Sequence, residues 1–358
     1  MFGSLLKSIR RRKEMAHWKK VITDNFKDLE HHRKLTKEQK KEVQDYYMGL
    51  IGKKVPLYSH EYFYSRTGYF TKDYVPTNIY HCELLPKAND KTLAKAYCDK
   101  NVCDLLFPSE NVAHYVLKNM HGYYYYEGKP VSYEEALSLC RDLKDIIVKP
   151  SLSSKGKGVQ LMNFTDGTNE KGESIEQVFK QYKEDFLFQK RVHQHKDMAA
   201  LNPTSLNTIR VLSYRSGLDV LIIYSVVRIG RKGSVVDNQS AGGISTTISK
   251  EGKLGKVAFG GYSTDNILET DTGIVLENYQ IPSYDKAIEM VKRMHMNLPY
   301  FNIIGWDLAI EEDGNPILIE INTNPGLSQS AFKSGMGEYT GRIIKELWPR
   351  KNTHFQGK

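Results

Sequence analysis

Residues 305–327 read GWDLAIEEDGNPILIEINTNPGL. Two apolar runs meet at a turn, and the second carries a glutamate and an asparagine two apart where a buried strand would carry neither. Side chains on a strand alternate between faces, so Ile317, Ile319 and Ile321 are expected on one side and Leu318, Glu320 and Asn322 on the other. With Asp313-Gly314 as the central pair of a two-residue hairpin turn, Asp307 falls opposite Glu320, at a cross-strand Cβ separation of about 5 Å. Like charges facing each other destabilise a sheet unless a cation compensates them. Two carboxylates and the Asn322 amide suit Mg²⁺, which favours hard oxygen donors and is commonly shared with substrate phosphates. A surface hairpin with its polar face in water would carry the same residues, and the hairpin alone does not separate the two readings.

Short apolar strands continue upstream, through DIIVKPSLSSKGKGVQLMNF (145–164), DFLFQKRV (185–192), NTIRVLSY (207–214) and LDVLIIYSVVRIG (218–230). Tyrosines 123–126 fit a further strand, and Ser132 and Glu135 match the S-x-x-E box that opens a helix. Helices are expected over 283–298, where Ala287, Ile288, Val291 and Met294 recur near a helical period, and over 336–349. Another is expected between Asp90 and Phe107, ending before Pro108. The class is α+β, with largely antiparallel sheets.

A chain of 358 residues is expected to form two or three units. The composition shifts suggest a basic helical arm (1–54), a connecting region of illegible role (55–88), a first α+β subdomain (89–190) and a second (191–350). Of the net charge of +9, the arm holds +8, with 15 Lys and Arg against 7 Asp and Glu. The body is therefore close to neutral, which argues against a nucleic-acid footprint. The arm reads as a solvated pair of helices or, with Phe2, Leu5, Leu6 and Trp18 beside its basic face, as a peripheral contact with an anionic membrane. Cys82, Cys98, Cys103 and Cys140 form neither a disulfide framework nor a zinc ladder. With no apolar run of membrane-spanning length, a cytoplasmic protein is expected, and the membrane reading of the arm would place it at the inner face of the membrane.

The loop after Val148-Lys149 is rich in serine, glycine and lysine. Gly156 and Gly158 permit close approach of backbone to phosphate oxygens, Ser151, Ser153 and Ser154 can donate, and Lys149 can reach the same oxygens. An exposed hairpin loop would have the same composition. Further on, Asp237, Asn238, Gly242 and Gly243 form a second loop able to fold over an acceptor, or to serve as a plain connector. His121, His193 and His195 stand alone, and no Ser, Cys and His arrangement suggests a covalent nucleophile.

In order, Asp90-Lys91, Lys149 before its glycine loop, FLFQKRV, and Asp307 before Glu320-x-Asn322 resemble the ATP-grasp superfamily. FQKRVHQH, LNPTSLNTIRVLSY and VVRIGRKGSVVDNQSAGGIS narrow the resemblance to the sugar-transfer-associated ATP-grasp proteins found with bacterial surface-polysaccharide genes, over residues 89–345. The resemblance implies a nucleotide gripped between two α+β subdomains. Lys91 and Lys149 would lie on its phosphates with Ser153, Gly156 and Gly158, and the strand Phe188, Gln189, Lys190 would lie beside the adenine. Asp307, Glu320 and Asn322 would hold Mg²⁺. Arg210 and Arg228 would neutralise the transferred phosphoryl group or hold an acid, and Asn238, Gly242 and Gly243 would approach the acceptor. One departure is that a glutamate expected for the ribose is missing, its place offering Gln194, His195 and Asp197.

The activity expected is an ATP- and Mg²⁺-dependent carboxylate–amine ligase working through an acyl phosphate, with a small-molecule acid and an amine or sugar acceptor. A sugar or polyol kinase would use the same nucleotide site. A non-catalytic nucleotide-binding scaffold docked through the arm is the third reading.

Overall fold

The computed structural model describes residues 2–153, 156–231, 233–234, 236–238, 241–260 and 266–348, with backbone alone for 2–5 and 7. Phe2, Leu5 and Ser154 therefore include side chains or positions outside the described residues.

The tyrosine run forms β2 (Tyr123–Tyr126), between β1 (Tyr115–Met120) and β3 (Lys129–Val131). With β4 (Ile146–Pro150), β5 (Gln160–Met162) and β8 (Phe186–Lys190), these make an antiparallel sheet in the order β3-β2-β1-β8-β4-β5. A small hairpin, β6 (Phe164–Thr165) and β7 (Thr168–Asn169), stands apart. One face of the sheet is closed by two helices, Tyr133–Leu139 and Ile175–Tyr182, which start at the capping boxes of Ser132 and Ser174. Phe186 and Phe188 point to that side, against Phe179 and Val178.

The second sheet joins β9 (Thr208–Ser216), β10 (Asp219–Ile229), β11 (Ile244–Ile248), β12 (Phe259–Gly260), β13 (Ile303–Ile310) and β14 (Pro316–Asn322), in the order β12-β11-β10-β9-β13-β14. Helix Tyr284–Met296 covers one face with Ala287, Met290, Val291 and Met294, the helical stripe expected from sequence. Within that layer His295 Nδ1 meets Ser213 Oγ at 2.8 Å, and the same hydroxyl accepts from Trp306 Nε1 at 2.7 Å. At one end of the opposite face, Leu212, Tyr214 and Ile303 pack under Val43, Tyr47, Tyr80 and Ile343. The other end of that face carries Thr208, Arg228 and Asp307 beside the apolar Ala309 and Ile317.

Asp307 does pair with Glu320, but by a route the sequence reading did not foresee. The turn is one residue longer than expected: Glu311 N donates to Asn315 O, Gly314 N to Glu311 O, and Gly314 has φ +81°. A three-residue loop ending in a left-handed glycine fits these bonds. Along the turn end Ile310 pairs with Pro316 and Leu308 with Leu318, one step off the expected register. A bulge then adds one residue to β14 and restores Asp307↔Glu320 and Gly305↔Asn322. The bulge also breaks the expected alternation. Leu318 and Ile321 enter the helix-covered core, while Ile317 and Ile319 lie on the side of Ala309, which shares a face with Asp307 by strand alternation.

The basic segment forms α1 (Phe2–Lys27) and α2 (Lys37–Ile51), and Thr36 and Gln39 make the capping box at the start of α2. Neither helix is a free arm. Val43 and Tyr47 are fully buried, Trp18 stacks on His81 at 3.7 Å, and Arg11 pairs with Glu83. Residues 55–88, which include α3 (Tyr58–Thr67), fasten the chain after β14. Gln329 bonds both backbone groups of Val75, and Tyr80 OH donates to Pro325 O at 2.8 Å. The span 89–113 packs with the second sheet: Asn89 bonds Ile303 and Thr323, and Ala113 N donates to Leu318 O. The single helix expected there is instead three short turns, Ala94–Tyr97, Lys100–Val102 and Cys103–Leu106.

Candidate functional site

Antiparallel pairing brings Arg210 of β9 opposite Asp307 of β13, and Asp307 opposite Glu320 of β14. Arg228 of β10 lies two residues along from Val226, which pairs with Arg210, and so reaches the same face. Arg210 grips Asp307 with both ends of its fork, Nε on Oδ1 and Nη2 on Oδ2 at 2.5 Å, and Arg228 Nη1 adds a bond to Oδ2 at 3.2 Å. Burial alone would raise the Asp307 carboxyl, but Arg210 and Arg228 outweigh it and hold it well below the usual carboxylate range. Gly305 makes room for this: a Cβ there would sit 3.2 Å from Pro325 Cβ and 3.4 Å from Arg210 Nη1.

This face forms one wall of a cavity of about 320 Å³, and the other wall comes from the first sheet. Lys149 of β4 lines it, with its Nζ on Gln189 Oε1 at 2.5 Å. Burial, helped by the neighbouring Lys100, pushes the Lys149 ammonium down to about 8, with Glu320 opposing. Lys100 Nζ donates to Ser153 O at 2.8 Å and lies 3.2 Å from Glu320 Oε2. Ile147, Val159 and Leu161 on one side and Leu206 and Ile319 on the other give the cavity an apolar slot beside these charges. Asp237 also lines it, held by the backbone N–H and hydroxyl of Thr208. Burial pushes the Asp237 carboxyl up to about 6, against the pull of Arg228.

Of the residues singled out in the sequence, Lys149, Ser153, Gly156, Gln189, His193, Gln194, Arg228, Asp237, Asn238, Asp307 and Glu320 meet at this cavity. Gly156 has φ +70°, and a Cβ there would lie 2.8 Å from Asn238 Oδ1, so the two loops touch across it. Arg210 stands just behind, through Asp307. Others are elsewhere. Lys91 is exposed and lies 3.8 Å from Glu14 on α1, because the turn after Asp90 directs it to the surface. Lys100, nine residues on, occupies the cavity in its stead. Phe188 faces the opposite side of its strand, stacked on Phe164 at 5.9 Å, as the two-residue period demands once Gln189 faces the cavity. Lys190 is exposed at the strand end, and Gly158 packs on Pro150. Gly242 and Gly243 lie outside the cavity lining and close their own loop, with Gly243 N donating to Asn238 O at 3.1 Å. Asn322 lies outside the lining too, its Oδ1 accepting from Asn324 N at 2.9 Å. Among the described residues no group of three His, Cys, Asp or Glu side chains is set to hold a metal, so any ion here would rest on Asp307, Glu320 and oxygens brought by the substrate.

The ribose candidates also sort out. Gln194 lines the cavity but spends its amide on Ser205 O and Asn207 N, and His195 Nδ1 accepts from Asp197 N at the start of a helix. The further carboxylate in the wall is Glu312, from the hairpin turn. Lys100 and Glu312 were missed in the sequence because no local pattern separates either from its charged neighbours.

The family model described as "Sugar-transfer associated ATP-grasp" matches residues 78–340, nearly three quarters of the chain and every candidate site residue. This chain belongs to the sugar-transfer-associated ATP-grasp family. Membership carries the ATP-grasp fold. No curated protein matches. Among solved structures, the L-amino acid ligase from Bacillus licheniformis is 11% identical with a TM-score of 0.38, covering 70% of this chain and 48% of that one. The ATP-grasp ligase PsnB, complexed with a minimal precursor, is 12% identical with a TM-score of 0.42, covering 73% and 62%. Phosphoribosylamine–glycine ligase from Thermotoga maritima is 15% identical with a TM-score of 0.45, covering 73% and 56%. The chain thus spans about half to three fifths of the length of these structures, and a likeness this distant carries no functional argument.

Proposed function

We propose that this family member is an ATP- and Mg²⁺-dependent carboxylate–amine ligase, forming an acyl phosphate from an acid used in bacterial surface-polysaccharide synthesis. The observation that carries the reading is one cavity in which an apolar slot ends at Lys100, Lys149, Arg228, Asp307 and Glu320. A flat purine suits the slot, the two lysines suit phosphate oxygens, and Glu312 is the carboxylate available to sugar hydroxyls.

The donor set fits Mg²⁺. Asp307 and Glu320 are carboxylates paired across two strands, and Mg²⁺ commonly takes one or two carboxylates with phosphate and water. Glu320, with its side chain 31% exposed, is the open ligand, while Asp307, at 5%, is shared with the arginines. When bound, the ion would supply charge neutralisation at the phosphate oxygens.

ATP is the cosubstrate. An acid carboxylate oxygen bonds to the γ-phosphorus as the bond to the β,γ-bridging oxygen breaks, and ADP leaves with that electron pair. An amine nitrogen then bonds to the acyl carbon, the carbon–oxygen bond to phosphate breaks, and the nitrogen gives up a proton. Arg228, with Arg210 behind it, offsets the charge of the group in transfer, and their fixed positions spare the reorganisation that water would require. The family's sugar-transfer description supports a glycan setting.

The test is incubation with ATP, Mg²⁺, candidate acids and hydroxylamine. A hydroxamate with stoichiometric ADP supports the ligase. ADP with a phosphorylated sugar and no hydroxamate makes it a kinase, and no ADP under any condition makes it a scaffold.

Contact with an anionic membrane belongs to the same reading. It is supported by exposed Leu6 and Ile9 on α1 beside exposed Arg10, Arg12 and Lys13. No helix among the described residues is long and apolar enough to cross a membrane. Because α2 is built into the core, liposome flotation should compare the full chain with an Arg10→Gln, Arg12→Gln, Lys13→Gln variant rather than a deletion. Equal flotation of the two, or none by either, would remove the idea.

A further inference from the structure

Ligation needs a group to take the proton that the amine nitrogen loses when it bonds to the acyl carbon. Such a group must be an uncommitted base within reach of the reacting centre, with a basicity near the working pH. Among the described residues the cavity lining offers four carboxylates, Asp237, Asp307, Glu312 and Glu320, and one imidazole, His193.

Four of these five are engaged or remote. Asp307 accepts from Arg210 and Arg228 on its two oxygens. Glu320 lies 3.2 Å from Lys100 and is the open metal ligand. Glu312 and His193 sit together at the hairpin turn, where Glu312 N donates to His193 O, and His193 Nε2 is paired with Asp145 at 2.7 Å. That turn lies beyond the end of β13, roughly 15 Å from Asp307 along an extended strand at ~3.3 Å per residue.

Asp237 is held by one edge. Its Oδ2 accepts from both the N–H and the hydroxyl of Thr208, and Oδ1 has no hydrogen-bond partner among the described residues. The residue is 7% exposed and lines the cavity, so what solvent the unbonded oxygen meets is that of the cavity. Thr208 pairs with Arg228 across β9 and β10, which sets Asp237 beside the guanidinium that faces the group in transfer. The loop is shaped to hold it there: a Cβ on Gly243 would overlap the carbonyl oxygen of Asp237.

We propose that Asp237 is the catalytic base of the ligation step, meeting the acceptor's amine through Oδ1 and taking the proton that the nitrogen loses as the amide forms. This rests on the ligase reading above and assigns its second half. The nitrogen lone pair bonds to the acyl carbon, the carbon–oxygen bond to phosphate breaks with its electron pair kept by phosphate, and the N–H proton passes to Oδ1. The neutral carboxyl returns that proton to water once the products leave. A carboxyl pushed up to about 6 by burial is ionised at neutral pH yet basic enough for the transfer. The charged groups acting on it are Arg228 of β10, which favours the anion, and Asp307 of β13, which opposes it; neither titrates between pH 5 and 7.

The test uses the full chain, Mg²⁺-ATP, an acid that yields hydroxamate in the assay above, and ammonia, ethanolamine and glucosamine as amines. Two rates are read by rapid quench: ADP formed in a single turnover before amine is added, and amide formed after. Asp237→Asn keeps an oxygen for both Thr208 bonds. It should slow amide formation about a hundredfold more than ADP formation. In the wild type at saturating amine, the amide rate should fall as pH drops through about 6, while the ADP rate does not follow. An equal loss of both rates in a folded variant, an undiminished amide rate, or an ADP burst with amide from none of the three amines overturns the proposal. If the variant does not fold, the wild-type profile decides, and an amide rate that is flat from pH 7 to 5 overturns it. Absence of hydroxamate and ADP with every acid instead overturns the ligase reading beneath it.

Discussion

Lys149 gives the site a pH dependence whose size follows from its burial. The residue is 5% exposed, and its ammonium is bonded to Gln189 and pushed down to about 8 by burial and by Lys100. Bound triphosphate would hold it protonated, so the cost of charging it falls on binding. At pH 7 most free molecules already carry the charge and affinity is near its maximum. At pH 9 only about one in ten does, so the apparent Kd for Mg²⁺-ATP should rise about tenfold, or about 1.4 kcal/mol. Lys149→Arg, whose guanidinium does not titrate in this range, should flatten the curve whatever its absolute affinity. Ligand-free stability should move the other way. Between pH 8 and 10.5 the unfolded lysine holds a proton that the folded one has lost, so the penalty of burying its charge is relieved as pH rises. Relative to Lys149→Met, the wild type should gain about 3 kcal/mol across that window. Fluorescence titrations with Mg²⁺-ATP at pH 7, 8 and 9, with denaturant unfolding at pH 8 and 10, measure both trends. A flat wild-type Kd, or an equal slope in Lys149→Arg, would refute the placement of Lys149 on the phosphates.

Burial pushes His60, His81 and His295 each down to about 4. They stay neutral in the fold while the unfolded chain protonates near 6.5, so the stability they lend is whole above pH 6.5 and lost as pH falls towards 4, up to about 3 kcal/mol each. Urea midpoints that do not move between pH 7 and 5 would contradict this. Asp307→Asn leaves two buried guanidiniums without their carboxylate and should cost about 3–5 kcal/mol by chemical unfolding; a loss under about 1 kcal/mol would show the triad to be loosely packed. Glu320→Gln, half-open to the cavity, should unfold almost as the wild type yet need at least tenfold more Mg²⁺ for turnover, and full turnover at unchanged Mg²⁺ would remove the metal assignment. Gly156→Ala sets a Cβ against Asn238 at positive φ and should raise the KM for ATP several-fold; an unchanged KM would mean the loop contact is not used.

The pairing of Asp307 with Glu320 was legible because the strand period and the Asp-Gly turn both act over a few residues. Two departures cancelled: the loop is one residue longer, and the bulge in β14 takes that residue back. The faces of Leu318 and Ile319 were not legible, since a bulge changes alternation without leaving a local sequence mark. Lys91 was matched by its place in an order of motifs, but what decides between Lys91 and Lys100 is the long-range docking of residues 89–113 on the second sheet, which the sequence pattern does not encode locally. Phe188 fails for the opposite reason: once Gln189 is assigned to the cavity, the two-residue period already sends Phe188 to the helix-covered side. Arg210 and Arg228 lie 18 positions apart in the chain and meet Asp307 only because β9 is central in the sheet. Their convergence is a property of topology.

The most direct test of the central claim follows an oxygen atom. With an acid labelled with ¹⁸O in its carboxylate, ATP, Mg²⁺ and an amine acceptor, the inorganic phosphate released should carry one ¹⁸O for each amide formed, read by mass. Unlabelled phosphate alongside amide product would contradict activation of the acid as an acyl phosphate.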